Sequence, residues 1–159
     1  MKPNNFFKDW KRLDKSLVDF MARYGVGLLR GSLAVIFVWF GLLKVLGLSP
    51  VAGLVAHTIY WFSPEVFIPI LGWWEIVVGV GLLLHFALRL TLFLFWLQLI
   101  GTFLVLVFLP DVAFQGGNLF LLTLEGEFVI KNLILITAGI VIGGTIRPYH
   151  HRDKEAPGR

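Results

Sequence analysis

Glu75 stands near the middle of PILGWWEIVVGVGLLL, an otherwise apolar run that ends around Leu88. Lys44 lies about one turn inside the outer end of a second apolar run, RGSLAVIFVWFGLLKVLG, and Lys131 about one turn inside the start of a third, FVIKNLILITAGIVI. A charged side chain in mid-membrane costs about 2.5–3.5 kcal/mol, so each of these needs a partner, and a lysine stem is long enough to reach one along a helix bundle. Residue type and depth together predict an ion-paired centre, Glu75 with Lys44 or Lys131. They place it in the outer half of the membrane, with Glu75 roughly 13 Å inside its span at 1.5 Å per residue. Gly72 and Gly79 lie one turn before and one turn after Glu75 on the same helical stripe, which leaves space for a neighbouring helix or a bound molecule. Gln98, with Gly101 and Thr102, offers a further polar seam nearer the cytoplasm. Two readings of the centre stay open: a buried salt bridge that fixes helix register, or a site that exchanges a proton or binds a headgroup.

The elements that must position these groups follow from composition. Of 159 residues, 57% are hydrophobic and only 15% charged, which an ordinary soluble surface does not tolerate. Apolar runs long enough to cross about 30 Å of hydrocarbon occur at 26–48, 66–88, 91–109 and 128–146. The chain is therefore expected to be an all-α membrane protein, a single domain built as a four-transmembrane-helix bundle. Lys2, Lys8, Lys11, Arg12, Lys15 and Arg23 precede the first span, Arg89 separates the second from the third, and Arg147, Arg152, Lys154 and Arg159 follow the fourth. The loops 49–65 and 110–127 contain no Lys or Arg, so the positive-inside rule puts both termini, including the tail 147–159, in the cytoplasm. The net charge of +4 is accounted for by this distribution and gives no support to a nucleic-acid partner. The first apolar run starts too late for a cleavable leader and is long enough to span. With no cysteine, thiol–disulfide exchange, iron–sulfur ligation and thiolate metal sites are excluded.

Residues 1–24 carry Phe6, Phe7, Trp10, Leu13, Leu17, Phe20, Met21 and Tyr24 at intervals of three and four, with charges on the other face. They predict an amphipathic interfacial helix on the cytoplasmic surface, which anchors the first span or docks a partner. In the first span, Arg30, Ala34, Phe37, Gly41 and Lys44 share one stripe, expected to face the bundle. The segment 50–65 is too short to cross and ends in the aromatic cluster Tyr60, Trp61 and Phe62, so an interfacial or re-entrant piece is expected. The outer loop has Gly116 and Gly117 as turn signals, and its apolar run 119–124 is expected at the interface.

Other residues bear on the site less directly. Glu125, Glu127 and Asp111 form an acidic outer rim or are simply solvated. His57 and His85 fall on opposite sides of the membrane, and His150 and His151 sit in a basic tail, so no metal or haem site is expected. Trp39, Trp73, Trp74 and Trp96 form an aromatic wall for a flat ligand, or anchor and pack the helices. Phosphate loops, nucleophile elbows and zinc-type histidine pairs are not found.

Taken in order, RGSLAVIFVWFGLLK, PILGWWEIVVGVGLLL, a positively charged hairpin and EGEFVIKNLILITAGIVI resemble the DoxX-like bacterial membrane proteins. The likeness covers about residues 26–147. Arg30, Gly41 and Lys44 match the family's first-span pattern, Glu75 its second-span Glu, and Glu127, Lys131 and Asn132 the ending of the YkgB-type branch. The resemblance implies a bacterial inner-membrane protein, with some relatives similar to membrane subunits of thiosulfate:quinone oxidoreductases and others tied to oxidative-stress defence. It implies a redox carrier that is a membrane quinone or belongs to a soluble or membrane redox partner. On this view Glu75 exchanges a proton near the quinone headgroup, Lys44 and Lys131 hold its charge, Arg30, Asn132 and Glu127 join the ligand site, and Trp39 and Trp74 pack the ring. A small transporter or lipid-binding bundle, and a structural docking subunit for a soluble partner, are the alternatives. The residues leave open the oligomeric state and whether the chain is catalytic alone.

Overall fold

The computed structural model describes residues 4–58 and 62–146. Lys2, Tyr60, Trp61 and the tail 147–159 lie outside the described residues, and nothing is described of the Phe6 and Phe7 side chains. The described chain is helical: α1 (Asn4–Val45), α2 (Ala52–Thr58), α3 (Pro64–Leu84), α4 (Leu88–Phe108), α5 (Pro110–Ala113), α6 (Leu124–Lys131) and α7 (Leu133–Gly143). Four stretches are long and apolar enough to cross a membrane, within α1, α3, α4 and α6 joined to α7.

The first difference from expectation is in α1. A surface helix ending at residue 24, separate from a span beginning at 26, is not what forms: one helix of 42 residues runs through both. No proline interrupts residues 4–45, and Gly25, Gly27 and Gly31 each cost only about 1 kcal/mol relative to Ala, too little to stop the i→i−4 hydrogen bonds. The helix ends where Gly47 takes a left-handed φ of 70°, with Gly47 N–H donating to Lys44 C=O and Leu48 N–H to Leu43 C=O. These two bonds are the Schellman pattern, which satisfies carbonyls at the end of a helix.

Ser63, in extended conformation, and Pro64 at the first helical position start α3. The helix stops at Leu84, four residues before the expected end, because His85 and Ala87 both adopt left-handed backbone. The resulting three-residue turn makes α3 and α4 an antiparallel hairpin, tied by the Thr91 hydroxyl, which donates to the Phe86 carbonyl at 3.2 Å. Beyond α4, a short cap is pinned by a bridge between Phe114 and Leu122. Thr123 then caps α6 by accepting from Gly126 N–H at 3.1 Å. The fourth span is interrupted at Asn132, between α6 and α7.

All four spans feed one core, in which Leu33, Phe37, Val78, Leu82, Phe95, Leu99 and Ile142 are buried. The closest helix pair is α1 with α3, and its seam is made by small residues seven apart on each helix. A Cβ added at Gly41 would lie 2.5 Å from the Gly72 carbonyl oxygen, one at Gly72 2.7 Å from that of Gly41, and one at Gly79 2.8 Å from that of Ala34. Backbone is thus packed directly on backbone. The repeat of seven keeps the seam facing its partner along both helices.

Candidate functional site

The glycine seam brings the C-terminal end of α1 across the face of α3 that carries Glu75. Lys44 sits in the last turn of α1, with its Cβ against Gly72, and its stem runs along α3 by about one turn to Glu75. Its Nζ donates to both carboxylate oxygens of Glu75, at 2.8 Å to Oε1 and 2.6 Å to Oε2. Lys44 is 5% exposed and Glu75 7%, so the pair is closed off from its surroundings by protein. The space expected beside Gly72 and Gly79 is filled by α1 itself.

A third member comes from α4. Gln98 Nε2 donates to Glu75 Oε1 at 2.6 Å, so this one oxygen accepts from both a cation and an amide. The amide's other atom, Gln98 Oε1, is buried and has no hydrogen-bond partner. The backbone carbonyl of Gln98 accepts from the Thr102 hydroxyl at 3.2 Å. Gln98 is expected nearer the cytoplasm than Glu75, and the hairpin corrects this. Measured from the 85–87 turn, Glu75 is nine residues before Leu84 and Gln98 ten after Leu88, about 14 Å and 15 Å along their helices. The two are level. The cluster therefore sits at the middle of the hairpin rather than toward the Pro64 end, since α3 extends to Pro64 and stops short at Leu84.

The remaining candidates are dispersed. Lys131 is exposed and donates to Glu127 Oε2 at 3.2 Å, one helical turn away, so of the two lysines considered for Glu75 it is Lys44 that makes the pair. Glu127, exposed in the first turn of α6, is the nearer acid for Lys131. Asn132 is half-buried at the α6–α7 break, where its carbonyl accepts from Ile136 N–H at 3.0 Å. Along the α1 stripe Ala34, Phe37, Gly41 and Lys44 are buried, whereas Arg30 is half-buried well toward the opposite end of the packed seam.

Trp74 is half-buried and its Nε1–H donates to the Leu94 carbonyl at 3.1 Å, which fixes the hairpin. Trp96 packs edge-on against Phe95 at 6.0 Å. Trp39 and Trp73 are exposed on outward faces, so these four side chains do not make a continuous wall at Glu75. His57, hydrogen-bonded to the Gly53 carbonyl at 2.7 Å, and His85 in the 85–87 turn stand at opposite ends of the hairpin. Two surface grooves are present, one along Gly27, Gly31, Ser32 and Val35 of α1, the other along Trp96, Leu99, Phe103, Val107 and Ile136. Neither is lined by Lys44, Glu75 or Gln98.

Chemically, the cluster is one cation, one carboxylate and one neutral amide that carries both a donor and an acceptor. It can hold a proton or lose one at Glu75, and it can lock α1, α3 and α4 together. Comparison with protein-family models, with curated proteins and with solved structures finds no match for this chain.

Proposed function

We propose that the chain is a DoxX-like subunit of the bacterial inner membrane, with both termini cytoplasmic, and that it serves a quinone-linked redox or oxidative-stress system by exchanging a proton at Glu75. The observation that carries this reading is the Lys44–Glu75–Gln98 cluster at mid-hairpin. Burying ions there is costly, and an apolar replacement of similar volume would stabilise the bundle at least as well. A carboxylate kept in such a place is a functional candidate by default. Lys44 supplies the fixed positive charge, and Gln98 supplies a neutral partner whose acceptor is free.

A quinone ring does not fit beside the carboxylate in this packing. The glycines that would make room for it face α1, and both carboxylate oxygens are engaged. A bound quinone would supply two-electron, two-proton redox chemistry. What this chain contributes is a proton-holding group at Glu75 Oε1 and Oε2, a cation that orients it, and an apolar surface facing the lipid that dissolves the carrier.

The exposed half of α1 supports a second role within the same assignment. Trp10, Leu13, Leu17, Phe20, Met21 and Tyr24 are all exposed along it, an apolar stripe suited to the cytoplasmic face of the bilayer or to a partner. This is the proposed amphipathic interfacial element, and it continues the span as one helix.

The reading is tested in cells lacking the chain, restored with wild type or with Glu75→Gln at equal membrane levels. The redox state of the membrane quinone pool is followed through an oxidant challenge. Wild type is expected to restore the pool's recovery and Glu75→Gln to leave it impaired. Equal recovery with both would contradict proton exchange at Glu75.

A further inference from the structure

Gln98 Oε1 is the one acceptor of the buried cluster left without a donor, although the same amide makes a 2.6 Å bond through Nε2. Burying an unpaired carbonyl oxygen is unfavourable, and turning the amide over would not cure it while Glu75 is ionised. It would then set amide oxygen against carboxylate oxygen. Turned over beside a protonated Glu75, however, the same amide accepts the carboxylic O–H. A side-chain amide carries both a donor and an acceptor on one rigid plane, so it can serve either form of the carboxyl group by a half-turn about its last bond.

We infer that Gln98 is a two-state positioning residue, donating to the ionised Glu75 and accepting from the protonated one, so that the carboxyl group takes up a proton without losing its α4 partner. The inference rests on proton exchange at Glu75. On protonation, hydronium from the aqueous phase gives its proton to a Glu75 oxygen and one O–H bond forms. The Gln98 N–H···O bond breaks and is replaced by an O–H···O bond to Gln98. The net charge of the cluster rises from zero to +1, with Lys44 cationic throughout.

Among the described residues, the side chain of α1 that bonds the carboxylate is Lys44, and on α6 Lys131 pairs with Glu127 of its own helix. From α4 the contact is Gln98, with Arg89 in the first turn, toward the 85–87 end. From α2 the titratable group is His57, exposed and bonded within its own helix.

The test is infrared difference spectroscopy of the purified protein through a pH titration, with Glu75→Gln to assign the carboxylic C=O band and Gln98→Met as the variant of similar length without an amide. The expected result is an acid band that Glu75→Gln removes, accompanied by a side-chain amide C=O change with the same midpoint. In Gln98→Met the amide change is lost and the acid band moves in frequency. An acid band identical in wild type and Gln98→Met, with no co-titrating amide change, would overturn the role of Gln98 while leaving proton exchange intact. The absence of any band that Glu75→Gln removes would overturn both. Circular dichroism of both variants at each pH confirms that their helices are intact, and the co-titration of the acid and amide bands is read in wild type.

Discussion

Glu75 has two donors on one oxygen and one on the other, and the consequence is strong coupling between residues 31 positions apart in sequence. Removing the cation alone leaves a buried carboxylate with only an amide for company. Lys44→Met is therefore expected to destabilise the bundle by about 3–5 kcal/mol, the usual loss when one member of a buried pair is deleted. Lys44→Met combined with Glu75→Leu removes both charges and is expected to recover most of that loss. Detergent-driven unfolding of the two variants and wild type measures the difference. A double variant no more stable than Lys44→Met would show that the two charges are not energetically linked.

At the scale of elements, the α1–α3 seam is what sets that pair in register. Gly41→Leu would force a side chain against the Gly72 carbonyl at 2.5 Å, and since the obstacle is backbone the helices must separate. A loss of at least about 1–3 kcal/mol is expected, as for overpacked cores. Gly27→Leu, where a Cβ would meet nothing within 4 Å, serves as the control and is expected to be neutral to stabilising by up to about 1 kcal/mol in the same unfolding measurement, since a helix-interior glycine is removed. Equal losses at the two sites would mean that the seam is not close-packed.

Much of this arrangement was legible beforehand. The spacing of Ala34, Gly41, Gly72 and Gly79 pointed to a small-residue face, and the lone acid between two lysine-bearing spans pointed to an ion pair. The choice of lysine was not legible, because it depends on which helix docks at those glycines. The level of Gln98 is not legible for a different reason. Its depth depends on where α3 ends, and that end is set by left-handed backbone at His85 and at Ala87, the second a residue type that rarely adopts it.

For the whole molecule, α1 is about 63 Å long at 1.5 Å per residue, twice the hydrocarbon thickness, while the other spans are 20 or 21 residues. The bundle therefore has one end fitted with a projecting apolar stripe and a centre fitted with a closed charge cluster. In the proposed function the first meets a membrane surface or partner, and the second holds a proton inside the bundle. If the cluster exchanges a proton rather than merely stapling the helices, removing its charges costs function even where the fold survives. The charge-free variant, Lys44→Met with Glu75→Leu, is placed in cells lacking the native chain. The quinone pool is followed through an oxidant challenge, and the variant's membrane level and stability are checked against wild type. The expected result is a folded bundle at normal levels that fails to restore the pool. A folded, charge-free bundle that restores it as well as wild type does would disprove proton exchange at Glu75 and leave the ion pair a structural clasp.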